Sequence, residues 1–380
     1  MARFMTSECR TLARGLDHPE CVAIGADGTL FAGGEAGAIY RISPDGSSVT
    51  EHARTLGESG GIALDADGNL YECNLSKHVN RITPDGLVSV YSTGTPELPV
   101  SFPNYPVFDT QGNLFFTDSG EWSTLNGRIY VVRPDGTTEV AFPDYLAFPN
   151  GLALDSENGW LYVVQSSAHN VVRLRVRDGK LVGRPEVYAE FAMHTVPDGV
   201  ALAESRNLYV SFYEPHAIYV VEPGGRIDVV VEGLAFELLN RPTNVTFSRE
   251  TTHIYYPNYG TGEIVTLDVG ERGMNLSYPT LPTLEQASDR PKCPDSPESA
   301  EKARICADPN CYRKARCRIR AGEPDVSCSL REAGEGCPVG DNALDSCVFA
   351  IPFVHRPLRR CAQMGRRSSR VHRLLARPRH

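Results

Sequence analysis

The sequence has no long apolar run. None of its apolar stretches reaches the roughly 18 residues that a membrane-spanning helix needs, so we expect no transmembrane helix. The N-terminal segment MARFMTSECRTLARG also lacks the apolar stretch of about 7–15 residues that defines a secretory signal peptide. We therefore expect a cytoplasmic protein without a membrane partner, in which cysteines stay reduced.

Cysteine is scarce before residue 284, and several common catalytic motifs are missing. Of 11 cysteines, only Cys9, Cys21 and Cys73 precede that point. The later cysteines include no CxxC pair, so a zinc site there has weak support. The sequence also has no HExxH motif and no phosphate-binding Gly loop. These absences argue against a zinc peptidase of the HExxH type and against a P-loop nucleotidase.

Charge divides the chain near residue 283. Residues 284–380 contain 19 Lys and Arg against 12 Asp and Glu, whereas residues 1–283 contain 19 against 35. The acidic balance of residues 1–283 argues against nucleic-acid affinity there. The tail, 284–380, is rich in Arg, Pro and Ser, so we predict that it is disordered or non-native. A basic arm for nucleic acid or a membrane surface is the alternative.

A repeat fills the first part of the chain. Each copy has a short apolar strand, a turn rich in Asp, Asn and Gly, and a second strand that begins with Leu or Ile. The copies are HPECVAIGADGTLFAGG, SGGIALDADGNLYECN, PNYPVFDTQGNLFFTD, PNGLALDSENGWLYVVQ, PDGVALAESRNLYVSF and PTNVTFSRETTHIYYPN. Third strands such as AIYRI and fourth strands such as EVYAE follow. Four strands per 40 to 48 residues, six times over, predict an all-β, six-bladed propeller over residues 1–283.

The last copy has a third strand, GEIVTLDV, but no clear fourth one. The N-terminal segment SECRTLA has the character of that missing outer strand. We predict that it closes the ring, because a closed ring leaves no open sheet edge.

One residue of each copy, directly after the Pro or its equivalent, marks the register. These register residues are Glu20, Gly60, Asn104, Asn150, Asp198 and Thr243. They lie just before the first strand of each blade, which lines the channel, so they form a ring at one channel mouth. Their carboxylate and amide oxygens suit a hard cation such as Ca²⁺. Without a cation, the two carboxylates would raise each other's pKa.

A second ring is predicted where the second strands end, four residues past their opening Leu or Ile. Its members are Gly34, Asn74, Asp118, Gln165, Phe212 and Asn258. We read it as a supporting layer or a substrate-facing ring, with Asp118 its strongest candidate. The loop SGEWSTLNG that follows brings Glu121 and Trp122 over the channel. The alternative for both rings is that Asn and Asp before strands only bond nearby backbone.

Four phrases resemble a known family. They are HPE at 18–20, FPNY at 102–105, FPNGLALD at 148–155 and VPDGVAL at 196–202. They resemble the senescence marker protein (regucalcin)/gluconolactonase/luciferin-regenerating-enzyme family of six-bladed propellers. The resemblance implies a divalent metal, often Ca²⁺ or Zn²⁺, on Glu20, Asn150 and Asp198. It also implies a contact from Asn104 to substrate or metal-bound water, and a general-base role for Asp198.

The sequence departs from the sugar-lactone members beside Asn104. Phe102 stands where those members have an Arg, and Tyr105-Pro106 where they have Asp-Gly. Loss of the Arg removes a bidentate partner for a hydroxylated or anionic substrate. We therefore expect a substrate less polar than gluconolactone.

These observations predict metal-assisted hydrolysis of a small lactone. The cation, Ca²⁺ with Zn²⁺, Mg²⁺ or Mn²⁺ as alternatives, would polarise the carbonyl, and Asp198 or a water it holds would act as base. Asn104, Phe102, Asp118 and Glu121 are the expected substrate contacts. The rival readings are a non-catalytic ligand- or protein-binding propeller and a strictosidine-synthase-like condensing enzyme.

Overall fold

The computed structural model describes residues 2–233 and 239–282. These residues form six four-stranded antiparallel sheets, which confirms the prediction of an all-β, six-bladed propeller. Two short 3-10 turns accompany the strands, Thr6–Glu8 and Ser166–Ala168. No helix in the described part of the chain is long and apolar enough to cross a bilayer. The expectations for residues 284–380 lie outside the described residues, and the cytoplasmic location stays a prediction.

The first three blades each contain four strands that are consecutive in the chain. Blade 1 consists of β2 (Cys21–Ile24), β3 (Leu30–Gly33), β4 (Ala38–Ile42) and β5 (Val49–Arg54). Blade 2 consists of β6 (Ser59–Leu64), β7 (Leu70–Asn74), β8 (His78–Ile82) and β9 (Val88–Ser92). Blade 3 consists of β10 (Pro103–Phe108), β11 (Leu114–Asp118), β12 (Leu125–Val132) and β13 (Thr138–Ala147).

Blades 4 and 5 repeat this order, and blade 6 combines both ends of the described chain. Blade 4 consists of β14 (Pro149–Asp155), β15 (Trp160–Gln165), β16 (Asn170–Arg177) and β17 (Lys180–Glu190). Blade 5 consists of β18 (Val196–Leu202), β19 (Leu208–Glu214), β20 (Ala217–Val221) and β21 (Ile227–Glu232). Blade 6 consists of β22 (Thr246–Phe247), β23 (His253–Asn258), β24 (Glu263–Asp268) and β1 (Arg10–Arg14).

Strand β1 closes the ring as the sequence predicted. It pairs antiparallel with β24, with Arg10 opposite Thr266 and Arg14 opposite Glu263. The N-terminal strand therefore supplies the outer edge of the last blade, so the ring needs no further strand to complete that sheet. Because this contact joins residues more than two hundred positions apart, it ties the first and last blades together.

Apolar clusters between neighbouring blades hold the ring. One cluster joins Phe115, Ile129 and Phe142 of blade 3 to Leu161 and Leu174 of blade 4, and all five side chains are buried. Side chains that alternate along each strand supply both faces of a blade, so every blade packs on two neighbours. At roughly 25 cal/mol per Å² of buried apolar surface, such interfaces provide the main stabilisation of the fold.

The turns at the outer edge behave as their sequence suggests. In the Pro-Asp-Gly turn between β4 and β5, Asp45 accepts a hydrogen bond from the backbone N–H of Ser47 at 3.1 Å. Gly46 follows with a φ of 73°, a left-handed conformation that glycine adopts without steric cost. Asp135 repeats the same bond to Thr137 at 2.9 Å. These carboxylates stabilise turns.

The mouth at which the first strands end is covered by the chain itself. Residues 273–279 form this cover, the closing segment, which crosses from blade 5 to blades 1 and 2. The Met274 N–H donates to Leu202 O at 2.8 Å, the Tyr278 hydroxyl to Ile24 O at 2.7 Å, and the Ala66 N–H to Pro279 O at 2.9 Å. A cavity of about 100 Å³, lined mainly by residues with apolar side chains, remains beneath it. The opposite mouth is where the register residues lie.

Candidate metal and substrate site

Four register residues, Gly60, Asn104, Asn150 and Asp198, sit in β-bulges, whereas Glu20 directly precedes β2. Pairing between the first and second strands slips between Pro103 and Pro106 in blade 3, and between Pro149 and Leu152 in blade 4. Blade 5 has the same slip after Pro197. A bulge adds one unpaired residue and turns the strand locally, which re-aims its side chain. The sequence placed Asn104, Asn150 and Asp198 just before the strands, whereas the structure places them inside the strands, at these bulges.

The glycines that follow the register residues serve close packing around the axis. A Cβ on Gly151 would lie 2.8 Å from Asp198 O, and one on Gly199 would lie 2.5 Å from the Cα of Asn244. Neither glycine has a positive φ. Their role is therefore to let neighbouring first strands approach closely.

A cavity of about 340 Å³ opens at this mouth and brings the predicted metal ligands together. Its polar lining consists of Glu20, Glu58, Asn104, Asn150, Ser166 and Asp198. Its apolar and aromatic lining consists of Leu75, Phe102, Trp122, Phe148, Val196, Tyr213 and Tyr259. No Lys, Arg or His from residues 2–233 or 239–282 lines it. The cavity therefore gathers three carboxyl groups without a cationic side chain.

Burial destabilises the charged forms of these carboxyl groups. The pKa of Glu20 lies well above its usual range because the group is buried, and because Asp198 and then Glu58 repel its negative charge. Burial also raises the pKa of Asp198, while a hydrogen bond from Asn150 acts in the opposite direction. A cation among them would compensate both effects. Two carboxyl groups and an amide oxygen are the donor chemistry of Ca²⁺ and Mg²⁺ sites, so Glu20, Asn150 and Asp198 fit such a group.

Hydrogen bonds to backbone carbonyls fix the ring. Thr243 Oγ1 donates to Glu20 O at 2.8 Å, linking blade 6 to blade 1. Ser166 Oγ donates to Pro197 O at 2.6 Å and accepts from Asn150 Nδ2 at 3.2 Å. The amide orientation of Asn150 therefore depends on Ser166, which the sequence analysis did not single out. These bonds hold neighbouring blades in register where the ligands meet.

Asp118 lies outside the cavity lining. Its carboxylate accepts from the backbone N–H of Ser101 at 2.9 Å, the hydroxyl of Ser101 at 3.0 Å and the N–H of Phe102 at 2.6 Å. It thus positions Phe102, which does line the cavity. Glu121 is also outside the lining and exposed, and its backbone N–H donates to Asn126 Oδ1 at 2.9 Å. The structure therefore corrects the expectation that both carboxylates face the substrate.

The rest of the predicted second ring repeats this supporting role. Gln165 accepts from the Ala147 N–H at 2.8 Å, and Asn258 accepts from the Asn240 N–H. Each bond anchors the chain that leads into the same blade's first strand. The cavity is instead lined by the residue one position further along, as in Leu75, Ser166, Tyr213 and Tyr259. Since successive strand residues face opposite sides, a count that is off by one selects the wrong face.

Four lining residues share a position two residues before the register residue. They are Glu58, Phe102, Phe148 and Val196. Only Phe102 was singled out from the sequence. The period-two alternation of a strand puts positions two apart on the same side, so the repeat itself contained the signal for Glu58 and Phe148.

An aromatic wall, consisting of Phe102, Trp122 and Phe148, forms one side of the cavity. The Trp122 and Phe148 rings are 4.9 Å apart and nearly perpendicular, and the Phe102 and Phe148 rings are 5.8 Å apart. Phe148 has a φ of 52°, which is rare for a bulky residue and costs conformational energy. Trp122 remains 50% exposed at the rim. The wall gives this side of the cavity a dry, apolar surface.

Comparison with known proteins gives related lactonases and similar folds. Lactonase drp35 of Staphylococcus saprophyticus is 31% identical over 124 residues, which is 32% of this chain and 38% of that protein. The match therefore spans less than half of the relative's length. A gluconolactonase structure from Xanthomonas campestris superposes with a TM-score of 0.59 at 20% identity, covering 70% of this chain and 89% of that one. A calcium-binding regucalcin structure from Agrobacterium tumefaciens gives 0.61 at 16%, covering 72% and 97%.

Two family sequence models match the chain. The model described as strictosidine synthase-like, N-terminal, matches residues 7–42. The model described as SMP-30/Gluconolactonase/LRE-like region matches residues 35–256, which is more than half of the chain. That match spans all six blades and contains Asn104, Asn150 and Asp198. The chain belongs to the SMP-30/gluconolactonase/LRE-like family.

Proposed function

We propose that this protein is a metal-dependent lactonase that opens the ester ring of a small lactone. The observation that carries the proposal is the convergence of Glu20, Asn150 and Asp198 on one cavity whose described lining has no basic side chain. Family membership and the similarity to lactonase drp35 support the same activity. Residues of this chain would carry out the steps of the reaction.

Glu20, Asn150 and Asp198 would hold a divalent cation, with Ca²⁺ first and Zn²⁺, Mg²⁺ or Mn²⁺ as alternatives. When bound, the cation supplies a Lewis acid that polarises the lactone carbonyl and offsets the negative charge that develops on its oxygen. Glu20 and Asn150 act only as ligands in this scheme. Asp198 has a second task, because its remaining oxygen can face a water molecule in the cavity.

Asp198 would act as the base in ring opening. It removes a proton from a water molecule, whose oxygen attacks the carbonyl carbon, and the ring C–O bond then breaks. The proton passes to the released alkoxide, so the product is a hydroxy acid. Asn104 would donate an amide hydrogen to the developing oxyanion. This role is supported by the position of Asn104 in the lining and by the lack of a hydrogen bond from its side chain to any described residue.

A metal-independent condensation is the second candidate. The match of residues 7–42 to the strictosidine synthase-like model supports it, as does Glu58, a carboxyl group in the cavity outside the proposed metal set. A condensing enzyme of this kind would use a carboxylate base and keep its activity after chelation. The two candidates therefore differ in their response to EDTA.

The test is hydrolysis of a panel of aliphatic, aromatic and sugar lactones by the full chain. Acid release would be followed with a pH indicator, first with EDTA and then with Ca²⁺ or Zn²⁺ restored. We expect turnover that stops with EDTA, returns with the metal and is lost in Asp198→Asn. Asp45→Asn is the matched control, because Asp45 lies in an outer turn. If no lactone turns over while Ca²⁺ still raises the melting temperature, the lactonase proposal is wrong and a binding propeller is favoured.

A further inference from the structure

Side chains reach the channel mouth from two positions of the repeat. The register residues form the inner level, where the proposed metal ligands lie. The residues two positions earlier form an outer level, which includes Glu58 of blade 2 and the Phe102 and Phe148 rings of blades 3 and 4. In blade 2 the register residue is Gly60, which has no side chain. Blade 2 therefore contributes a carboxyl group only at the outer level.

The Glu58 carboxyl group makes no hydrogen bond or ion pair to any described residue, and only its backbone carbonyl is engaged, by the Leu75 N–H at 2.9 Å. Burial and the nearby negative charge of Glu35 raise its pKa to about 7. A partly buried carboxyl group without a hydrogen bond is costly, so this one fits a role in binding.

The charges around Glu58 are mostly negative. The nearby negative charges are Glu35, Asp17 and Glu20, whereas His18 lowers the pKa of Glu58. The compensation by His18 is shared, because its Nδ1 also lies 3.2 Å from carboxylate oxygens of both Asp17 and Glu35. Arg241, the nearby guanidinium, stacks on Tyr213 with 4.9 Å from its Cζ to the ring centroid, outside the cavity lining. This side of the cavity attracts positive charge.

Aromatic rings complete the same corner. Tyr259 lines the same cavity as Glu58, and the negative charge of Glu58 contributes, after burial, to raising the pKa of Tyr259. The Tyr213 ring lies 6.3 Å from Tyr259 and also lines the cavity. Aromatic faces attract cations, and a carboxylate beside them adds to that attraction. The aromatic wall across the cavity offers the complementary apolar surface.

We propose that Glu58 and Tyr259 form a subsite for a positively charged substituent, so that the substrate is a lactone whose ring carries an ammonium group. The inference rests on the proposed lactonase function and adds the substrate class. The lactone ring would lie between the inner ligands and the aromatic wall, with the ammonium group toward blade 2. An anionic lactone would be repelled by the negative charge of this corner.

An isosteric pair of substrates tests the charge alone. α-Trimethylammonio-γ-butyrolactone and α-tert-butyl-γ-butyrolactone have the same shape and differ by one positive charge. The kcat/KM of each would be measured with the full chain and divided by its rate of opening by hydroxide, which removes the intrinsic difference in reactivity. We expect the cationic lactone to be preferred about tenfold, and the preference to fall close to one in Glu58→Gln.

Two controls separate the subsite from other roles of Glu58. Glu35→Gln removes a carboxylate of the same region that lies outside the lining, and we expect it to change the preference less than about twofold. The Ca²⁺ Kd of Glu58→Gln is expected to stay within about threefold of the unsubstituted protein. Thermal melting confirms that each variant is folded.

The outcomes are distinguishable. If both lactones turn over equally, or if Glu58→Gln leaves the preference intact, the inference is wrong while the lactonase function stands. A tenfold loss of Ca²⁺ affinity in Glu58→Gln would make Glu58 a metal ligand and overturn the subsite. If neither these lactones nor the wider panel is hydrolysed, the proposed function itself fails and the inference fails with it.

Discussion

The two ends of the central channel differ in chemistry although the same six first strands build both. At the mouth where the strands begin, Glu20, Asn150 and Asp198 face an open cavity with a partly aromatic lining. At the mouth where they end, apolar side chains such as Leu64, Leu202 and Phe247 line a smaller cavity beneath the closing segment. The same strands reach both mouths, so the contrast comes from the side chains at their ends.

The comparison shows how one repeat separates function from stability. At the open mouth, bulges and glycines bring polar side chains toward the axis, where burial raises the pKa of Glu20 and Asp198. This arrangement costs stability in the absence of a cation. The covered mouth has apolar packing and satisfied backbone hydrogen bonds, which add stability. Substitutions at the open mouth should therefore lower activity with little loss of stability, and substitutions at the covered mouth should lower stability with little loss of activity.

The largest effect is expected from Asp198→Asn at the open mouth. The substitution removes a carboxylate that would bind the cation and accept the proton, so kcat/KM should fall by about a thousandfold or more. Stability without metal should hold or rise, because an uncompensated buried carboxyl group is lost. Lactonase assays and calorimetry of Ca²⁺ binding would measure both. Activity within tenfold of the unsubstituted protein would contradict the assigned role.

The converse signature is expected from Phe247→Ala at the covered mouth. Phe247 is buried, and its ring lies 5.1 Å from that of Tyr209. Deleting it should lower the free energy of unfolding by about 3–4 kcal/mol, with little change in kcat/KM per folded molecule. Denaturant titration checks the first value. Leu56→Ala is the matched control, since Leu56 is 83% exposed and should change stability by less than about 0.5 kcal/mol. A large loss of activity in Phe247→Ala would break the contrast between the mouths.

A more selective effect is expected from Asn104→Ala. The side chain faces the cavity without a hydrogen bond to any described residue, so its loss should lower kcat about a hundredfold by removing an oxyanion donor. The Ca²⁺ Kd should stay within about threefold, because Asn104 is outside the proposed ligand set. A parallel loss of Ca²⁺ affinity would instead place Asn104 among the ligands.

The smallest effect, with a defined pH dependence, concerns Glu58→Gln. The native pKa of Glu58 is raised to about 7, so between about pH 4.5 and 7 the folded protein keeps a proton that the unfolded chain has released. The stability contributed by that proton is present below about pH 4.5 and is lost as the pH rises through 7. In EDTA at pH 8, the free energy of unfolding of Glu58→Gln should exceed that of the unsubstituted protein by about 1–2 kcal/mol, after allowance for partial solvent screening. At pH 4.5 the two free energies should be almost equal. A gain that does not change with pH would contradict this.

Much of the fold was predictable because its signals are local. Alternating strands and turns such as Pro44-Asp45-Gly46 follow from neighbouring residues, and the spacing of the copies indicates a propeller of six blades. The closing strand was predictable from a count, since blade 6 lacked one strand. For the candidate site, the shared register of Glu20, Asn150 and Asp198 was sufficient to expect that they meet.

The sequence by itself therefore determined the architecture and the ring of proposed metal ligands. The tertiary structure decided which of two adjacent residues faces the cavity. Ser166 and Tyr259 line it, whereas Asp118 and Gln165 do not. It also decided that the closing segment covers the other mouth. The physical reason is that bulges shift strand register by a single residue, and one residue reverses the direction of a side chain. Such shifts depend on contacts between blades, which no local pattern records.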